Sequence, residues 1–141
     1  MSSKRVFAAS GVALEGRALL VEGLPGSGKS TLIAKLIDRG AMLIGDDAVA
    51  LSIERGRLLA SPPPNIDGKL ELRNVGIVEL PSTSAPVALL LTLTGDAPRF
   101  TEEAGARELL DQPIPVLQFD PAIPAAAIRA EWAFRRFGLL A

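Results

Sequence analysis

Eight consecutive residues, Gly23, Leu24, Pro25, Gly26, Ser27, Gly28, Lys29 and Ser30, satisfy the pattern G-x-x-x-x-G-K-[ST] at every position. No other stretch restricts the fold as much, because the pattern works only between a strand and the start of a helix. The glycines let backbone N–H groups turn inward and approach phosphate oxygens closely. The helix start adds partial positive charge, which favours an anion. In such a loop Lys29 reaches the β- and γ-phosphates, and the Ser30 hydroxyl ligates Mg²⁺. Thr31 follows as a first-turn residue and closes the expected nucleotide-binding segment. From average residue usage, a chance match in a chain this long is expected on the order of once in a few hundred.

The flanking residues supply that context. Residues 6–14 and 17–22 read as β runs separated by Glu15 and Gly16, a hairpin. Residues 31–38 read as a helix with Leu32, Ile33, Leu36 and Ile37 on one side, stopped at Arg39 and Gly40. Residues 41–44 form a short apolar strand running into Gly45, Asp46 and Asp47. Residues 49–53 and 57–60 flank Glu54, Arg55 and Gly56 as a second hairpin. The prolines at 62, 63 and 64 cannot sit in a central strand and read as a stiff loop. Beyond them the pattern predicts strands over 70–80, 87–94 and 116–119, a helix over 101–110, and a last helix over 125–137 opened by Pro124. The expected fold class is α/β with a mixed sheet, few helices and several antiparallel pairs, in one domain over residues 1–141.

Composition narrows the chemistry. The chain has no cysteine and no histidine, which excludes disulfides, thiolate zinc sites, a cysteine nucleophile and a Ser-His-Asp triad. Acid–base work falls to Asp, Glu, Lys or water. Fifteen basic residues against sixteen acidic ones give no general attraction for nucleic acid or an anionic membrane. Lys4 and Arg5 precede a stretch too rich in Ala, Ser and Gly for a signal peptide. The most apolar stretch, residues 87–93, is far short of the roughly 20 residues of a spanning helix. The expected location is the cytoplasm.

Asp46 and Asp47 end the strand that follows the loop's helix. In open α/β sheets the carboxyl ends of neighbouring strands face one crevice. One carboxylate there serves the Mg²⁺ shell and the other accepts a proton from an attacking hydroxyl. A turn or a helix cap is the plainer use of adjacent aspartates. Gly45 departs from the usual apolar run straight into the acid.

Three segments in order now resemble one family. They are residues 23–30, the Asp46-Asp47 pair after residues 39–45, and Glu71-Leu72-Arg73-Asn74-Val75-Gly76-Ile77. The last is similar to the E-x-R-G-x-G-[IV] signature of bacterial HPr kinase/phosphorylase, with Asn74 where Gly is usual. The chain resembles that family's catalytic domain in its short form, which lacks the N-terminal domain. The resemblance is good over residues 8–99 and loose beyond. It implies a P-loop α/β fold related to phosphoenolpyruvate carboxykinase, with ATP and Mg²⁺ as cofactors. It implies phosphorylation of a serine on the small phosphocarrier HPr, and removal of that phosphate by inorganic phosphate to give pyrophosphate. By position Asp47 matches the family's proton acceptor and Lys29 its phosphate-binding lysine. Ser30 and Glu71 match its Mg²⁺ ligands, with Asp46 beside them, and Arg99 its catalytic arginine. A homo-oligomer is implied as well.

The family's histidine, in a His-Ala-Ser-like segment, falls on Ala8 within Phe7-Ala8-Ala9-Ser10. This departure keeps a non-enzymatic nucleotide or phosphate sensor open. A small-metabolite kinase is the other alternative, although no Arg-rich lid cluster accompanies the loop. On the last helix Ile128, Trp132, Phe134, Arg135, Arg136 and Phe137 read mainly as core, with docking or self-association as the functional alternative.

Overall fold

A computed structural model describes residues 4–64 and 68–140. Chain order runs β1 (Arg5–Phe7), β2 (Ser10–Leu14), β3 (Arg17–Glu22), α1 (Lys29–Asp38), β4 (Met42–Gly45), β5 (Val49–Glu54) and β6 (Arg57–Ser61). It continues with β7 (Lys69–Leu72), β8 (Gly76–Glu79), β9 (Ala85–Leu93), β10 (Gly105–Leu109), β11 (Gln112–Phe119) and α2 (Ala126–Phe137). Among the described residues a nine-stranded sheet follows the order β1-β5-β6-β9-β3-β2-β4, and β11 joins β9 and carries β10. β7 and β8 form a separate two-stranded sheet.

The apolar run of β9 explains the centre. It pairs in parallel with β3 and with β11, and antiparallel with β6 at its beginning. A strand covered on both faces should read as a continuous apolar run, and β9 does. Leu89 and Leu91 face a core shared with α1 and α2, whereas Val87 and Leu90 face a second core with β5, β6 and β10. Leu89, Leu90 and Leu91 are fully buried, each stabilising by about 1.5–3 kcal/mol. β3 divides in the same way, Leu19 and Val21 to one side, Ala18 and Leu20 to the other.

α1 presents Leu32, Ile33 and Leu36 to the first core, the stripe expected from sequence. α2 adds Ala126, Ala127, Ala130 and Phe134. The helices are tied by Arg39, whose Nε donates to both carboxylate oxygens of Glu131 at 3.0 and 3.1 Å. Those hydrogen bonds, followed by the charge of Glu131, hold the Arg39 guanidinium above its ordinary pKa. No helix among the described residues is long and apolar enough to cross a membrane.

Four sequence expectations need correction. The run over 6–14 is two strands, because the chain breaks at Ala8 and β1 leaves to pair with β5 while β2 pairs with β3. The run over 70–80 is a hairpin, β7 against β8, turning through residues 73–75. The helix expected over 101–110 is absent; residues 105–109 are β10, paired antiparallel with β11. Helical periodicity lost there to tertiary pairing: Leu110 and Asp111 take positive φ and fold β10 onto β11, which continues the main sheet. β11 also begins at Gln112, earlier than expected, despite Pro113 and Pro115. The two prolines share one parity and lie before β9 joins at Val116, so neither removes a bond from the β9 ladder.

Asn74 occupies the β7–β8 turn at φ 70. Apart from Gly, Asn tolerates the left-handed region best, which explains its use at the signature's usual Gly. Asn74→Gly is expected to leave stability roughly unchanged, whereas Asn74→Val should lower it by about 1–2 kcal/mol in urea unfolding. Equal stability of the two variants would contradict the left-handed requirement.

Candidate functional site

β3 delivers the glycine-rich loop to the carboxyl end of the sheet. Glu22, its last residue, is fixed by the Thr92 hydroxyl at 2.9 Å and by the Arg107 guanidinium. Arg107 also lies over the Phe7 ring, 5.6 Å from its centroid. The loop turns through Ser27 N–H donating to Leu24 O at 3.0 Å. A Cβ on Gly23 would overlap the Ser27 hydroxyl and press on Leu93, so a larger residue here must displace the Ser27 side chain. The Ser27 hydroxyl oxygen is buried there without a hydrogen-bond partner among the described residues.

α1 begins directly after the loop. Its first internal bond runs from Leu32 N–H to Gly28 O at 3.0 Å, which leaves the amides of residues 28–31 without helical acceptors. No side chain caps this end and no acidic residue stands in the first turn. The electrostatics therefore favour an incoming anion. Lys29, at the helix start, folds back: its Nζ donates to Gly23 O at 2.8 Å and to Leu24 O at 3.5 Å. The same Nζ stands 3.7 Å from Asp47 Oδ1.

Asp46 is the meeting point. Its Oδ1 accepts from the Ser30 hydroxyl at 3.0 Å and from the Ser10 hydroxyl at 3.3 Å. Its Oδ2 accepts from Glu71 N–H at 3.2 Å. Asp47, at φ 63, donates its backbone N–H to the Ser10 hydroxyl at 3.0 Å. Its side chain is 69% exposed, against 12% for that of Lys29. Gly45 is explained by crowding: a Cβ there would overlap the Ala48 carbonyl oxygen and press on Pro63.

The fold thus gathers Lys29, Ser30, Asp46 and Asp47 at one end of the sheet. Gly23, Leu24, Pro25, Gly26, Ser27 and Gly28 wrap around them, with Thr31 exposed on the first turn. Glu71 arrives through its backbone, its residue exposed on β7. Arg99 does not join the cluster: it is exposed beyond β9, stacked 5.6 Å over the Phe100 ring, and no hydrogen bond ties it to the loop among the described residues. Sequence reasoning missed Ser10. Its signal was a polar residue at the start of an otherwise apolar strand, fully buried in the structure.

Ser30 and Asp46 present hard oxygen donors, the type Mg²⁺ takes. No group of three acidic residues gathers into a metal cage among the described residues. A cavity of about 90 Å³, lined by Arg17, Leu58, Val87, Ile114 and Leu139, lies at the opposite end of the sheet.

Gly45→Ala is expected to lower stability by about 1–3 kcal/mol in urea unfolding, since the overlap must be relieved by moving the Asp46 turn. A variant as stable as the parent would show that the turn is not crowded.

Comparison with known proteins agrees in family and in fold. The family model of the HPr Serine kinase C-terminal domain matches residues 1–84. The HPr kinase/phosphorylase of Clostridium tetani is 42% identical over 67 residues, covering 48% of this chain and 22% of that protein. That of Bordetella petrii is 39% identical over 66 residues, covering 46% of this chain and 21% of that protein. The matched segment is thus about a fifth of these relatives' length. The structure of the Hpr(Ser) kinase/phosphatase from Coxiella burnetii superposes with a TM-score of 0.81 at 22% identity, covering 93% of this chain and 89% of that chain.

Proposed function

The chain belongs to the HPr serine kinase C-terminal domain family, and on that premise we propose that it is an ATP-dependent kinase acting on a serine of an HPr-like phosphocarrier in the cytoplasm. The observation that carries this reading is the 3.7 Å approach of Lys29 Nζ to Asp47 beside the Ser30–Asp46 pair. A lysine cation for phosphate, an exposed carboxylate for a proton and oxygen donors for a metal stand within one side chain's reach.

A serine hydroxyl is a weak nucleophile. In the proposed reaction its oxygen forms a bond to the γ-phosphorus of ATP, the bond to ADP breaks, and the serine proton passes to the exposed Asp47 carboxylate. Lys29 and the uncapped amides at the start of α1 bind and orient the phosphates. Ser30 and Asp46 would hold Mg²⁺, with Glu71 assigned beside them by resemblance. When bound, Mg²⁺ neutralises phosphate charge. Arg99 is the candidate for stabilising the transferring group, and that role requires its exposed loop to move over the site.

A nucleotide sensor without transfer is the second reading. It is favoured by Ala8, which is exposed two residues before Ser10, where the resembling family places histidine.

Incubation with folded HPr, Mg²⁺ and γ-labelled ATP is expected to place label on serine. Lys29→Ala should reduce transfer by about 10²–10³-fold, the typical cost of removing one electrostatic stabiliser. ATP binding without label on any HPr would overturn the kinase reading and leave the sensor.

A further inference from the structure

We propose that Ser10 is a positioning residue for phosphoryl transfer, holding Asp47 in its working geometry; the proposal rests on the kinase reading above. Ser10 opens β2 and is fully buried. The register Gly11 opposite Gly45 sets it beside the end of β4, where the aspartates begin. Its hydroxyl does two things at once. It accepts the Asp47 N–H at 3.0 Å and donates to Asp46 Oδ1 at 3.3 Å.

The two aspartates depend on it unequally. Asp46 keeps the Ser30 hydroxyl and the Glu71 N–H if Ser10 is removed. Among the described residues the Ser10 hydroxyl is the one acceptor for the Asp47 N–H, and its φ of 63 is a left-handed conformation that Asp tolerates and that this hydrogen bond holds in place. Once released, the peptide relaxes and carries the Asp47 carboxylate away from Lys29 and the acceptor hydroxyl. Lys29, Ser30 and Asp46, which would hold phosphate and metal, keep their own hydrogen bonds. The hydroxyl therefore governs the transfer rate rather than nucleotide affinity.

The experiment compares Ser10→Ala and Ser10→Cys in the full chain. Cysteine fills the site but hydrogen-bonds weakly. Both variants should lower kcat for HPr phosphorylation about tenfold or more, the cost of a displaced catalytic group, with KM for MgATP within about twofold of the parent. The Asp47 amide, followed by NMR hydrogen exchange, should lose protection in both. An unchanged kcat, a loss confined to KM, or full activity in Ser10→Cys would overturn the proposal. If the parent chain transfers no phosphate, the kinase reading fails and the amide alone decides the clamp. Protection lost in both variants supports it; protection retained overturns it.

Discussion

A single carboxylate knots four segments of this chain. Asp46 follows β4 and accepts hydrogen bonds from β2, α1 and β7 through Ser10, Ser30 and Glu71 N–H. Each bond contributes modestly, roughly 1.5–3 kcal/mol for a charged acceptor, but leaving the carboxylate unpaired would cost more. The cluster is therefore cooperative: moving any one strand disturbs the others. Its location follows from β9. β9, apolar apart from Thr92, takes the middle of the sheet beside β3, and β2, antiparallel to both β3 and β4, sets their carboxyl ends on the same edge.

Much of this was legible because local chemistry and tertiary structure agreed. The loop spacing, the stripe on α1 and the hairpin residues at 15–16 and 55–56 each dictate a local conformation, and the global fold uses all of them. Reading failed where pairing partners were distant. Residues 101–110 carry helical periodicity, but the available edge of β11 made residues 105–109 a strand. Residues 6–14 look like one strand because nothing in their side chains marks the departure of β1 towards β5. In the site, the loop glycines, Lys29 and the Asp46-Asp47 pair could be read from motif and spacing, whereas Glu71 and Arg99 rested on family resemblance. Ser10 could be read from neither, since a serine announces its role only when the fold supplies a buried partner.

The two ends of the sheet are held differently. At the end away from the loop, buried Arg17 lies 4.6 Å over the Phe134 ring and donates to Leu139 O at 2.7 Å, while Leu139 N–H reaches Ala88 O. Ala88 is available for this because the β3–β9 register shifts between Ala18 and Leu19. The bulge that interrupts the ladder thus anchors the segment after α2. This end is fastened by the Arg17 guanidinium, by Arg135 Nε donating to Glu15 Oε1 at 2.9 Å, and by backbone. The loop end brings charge, the positive φ of Asp47 and the crowded Gly23 and Gly45 close together, features that strain a fold and that functional sites tolerate.

Lys29 shows how that strain is contained. With its ammonium on Gly23 O and Leu24 O, the loop is closed by its own side chain and Ser27 N–H completes the turn. The loop geometry is thus fixed by bonds internal to the protein. A phosphate would compete with two carbonyl oxygens for one cation, and a charged phosphate oxygen is a stronger acceptor than a neutral carbonyl. Little backbone ordering is left for ligand binding, so the interaction energy goes to orientation instead of folding. Asp47, 3.7 Å from that ammonium and 69% exposed, keeps its carboxylate open to solvent.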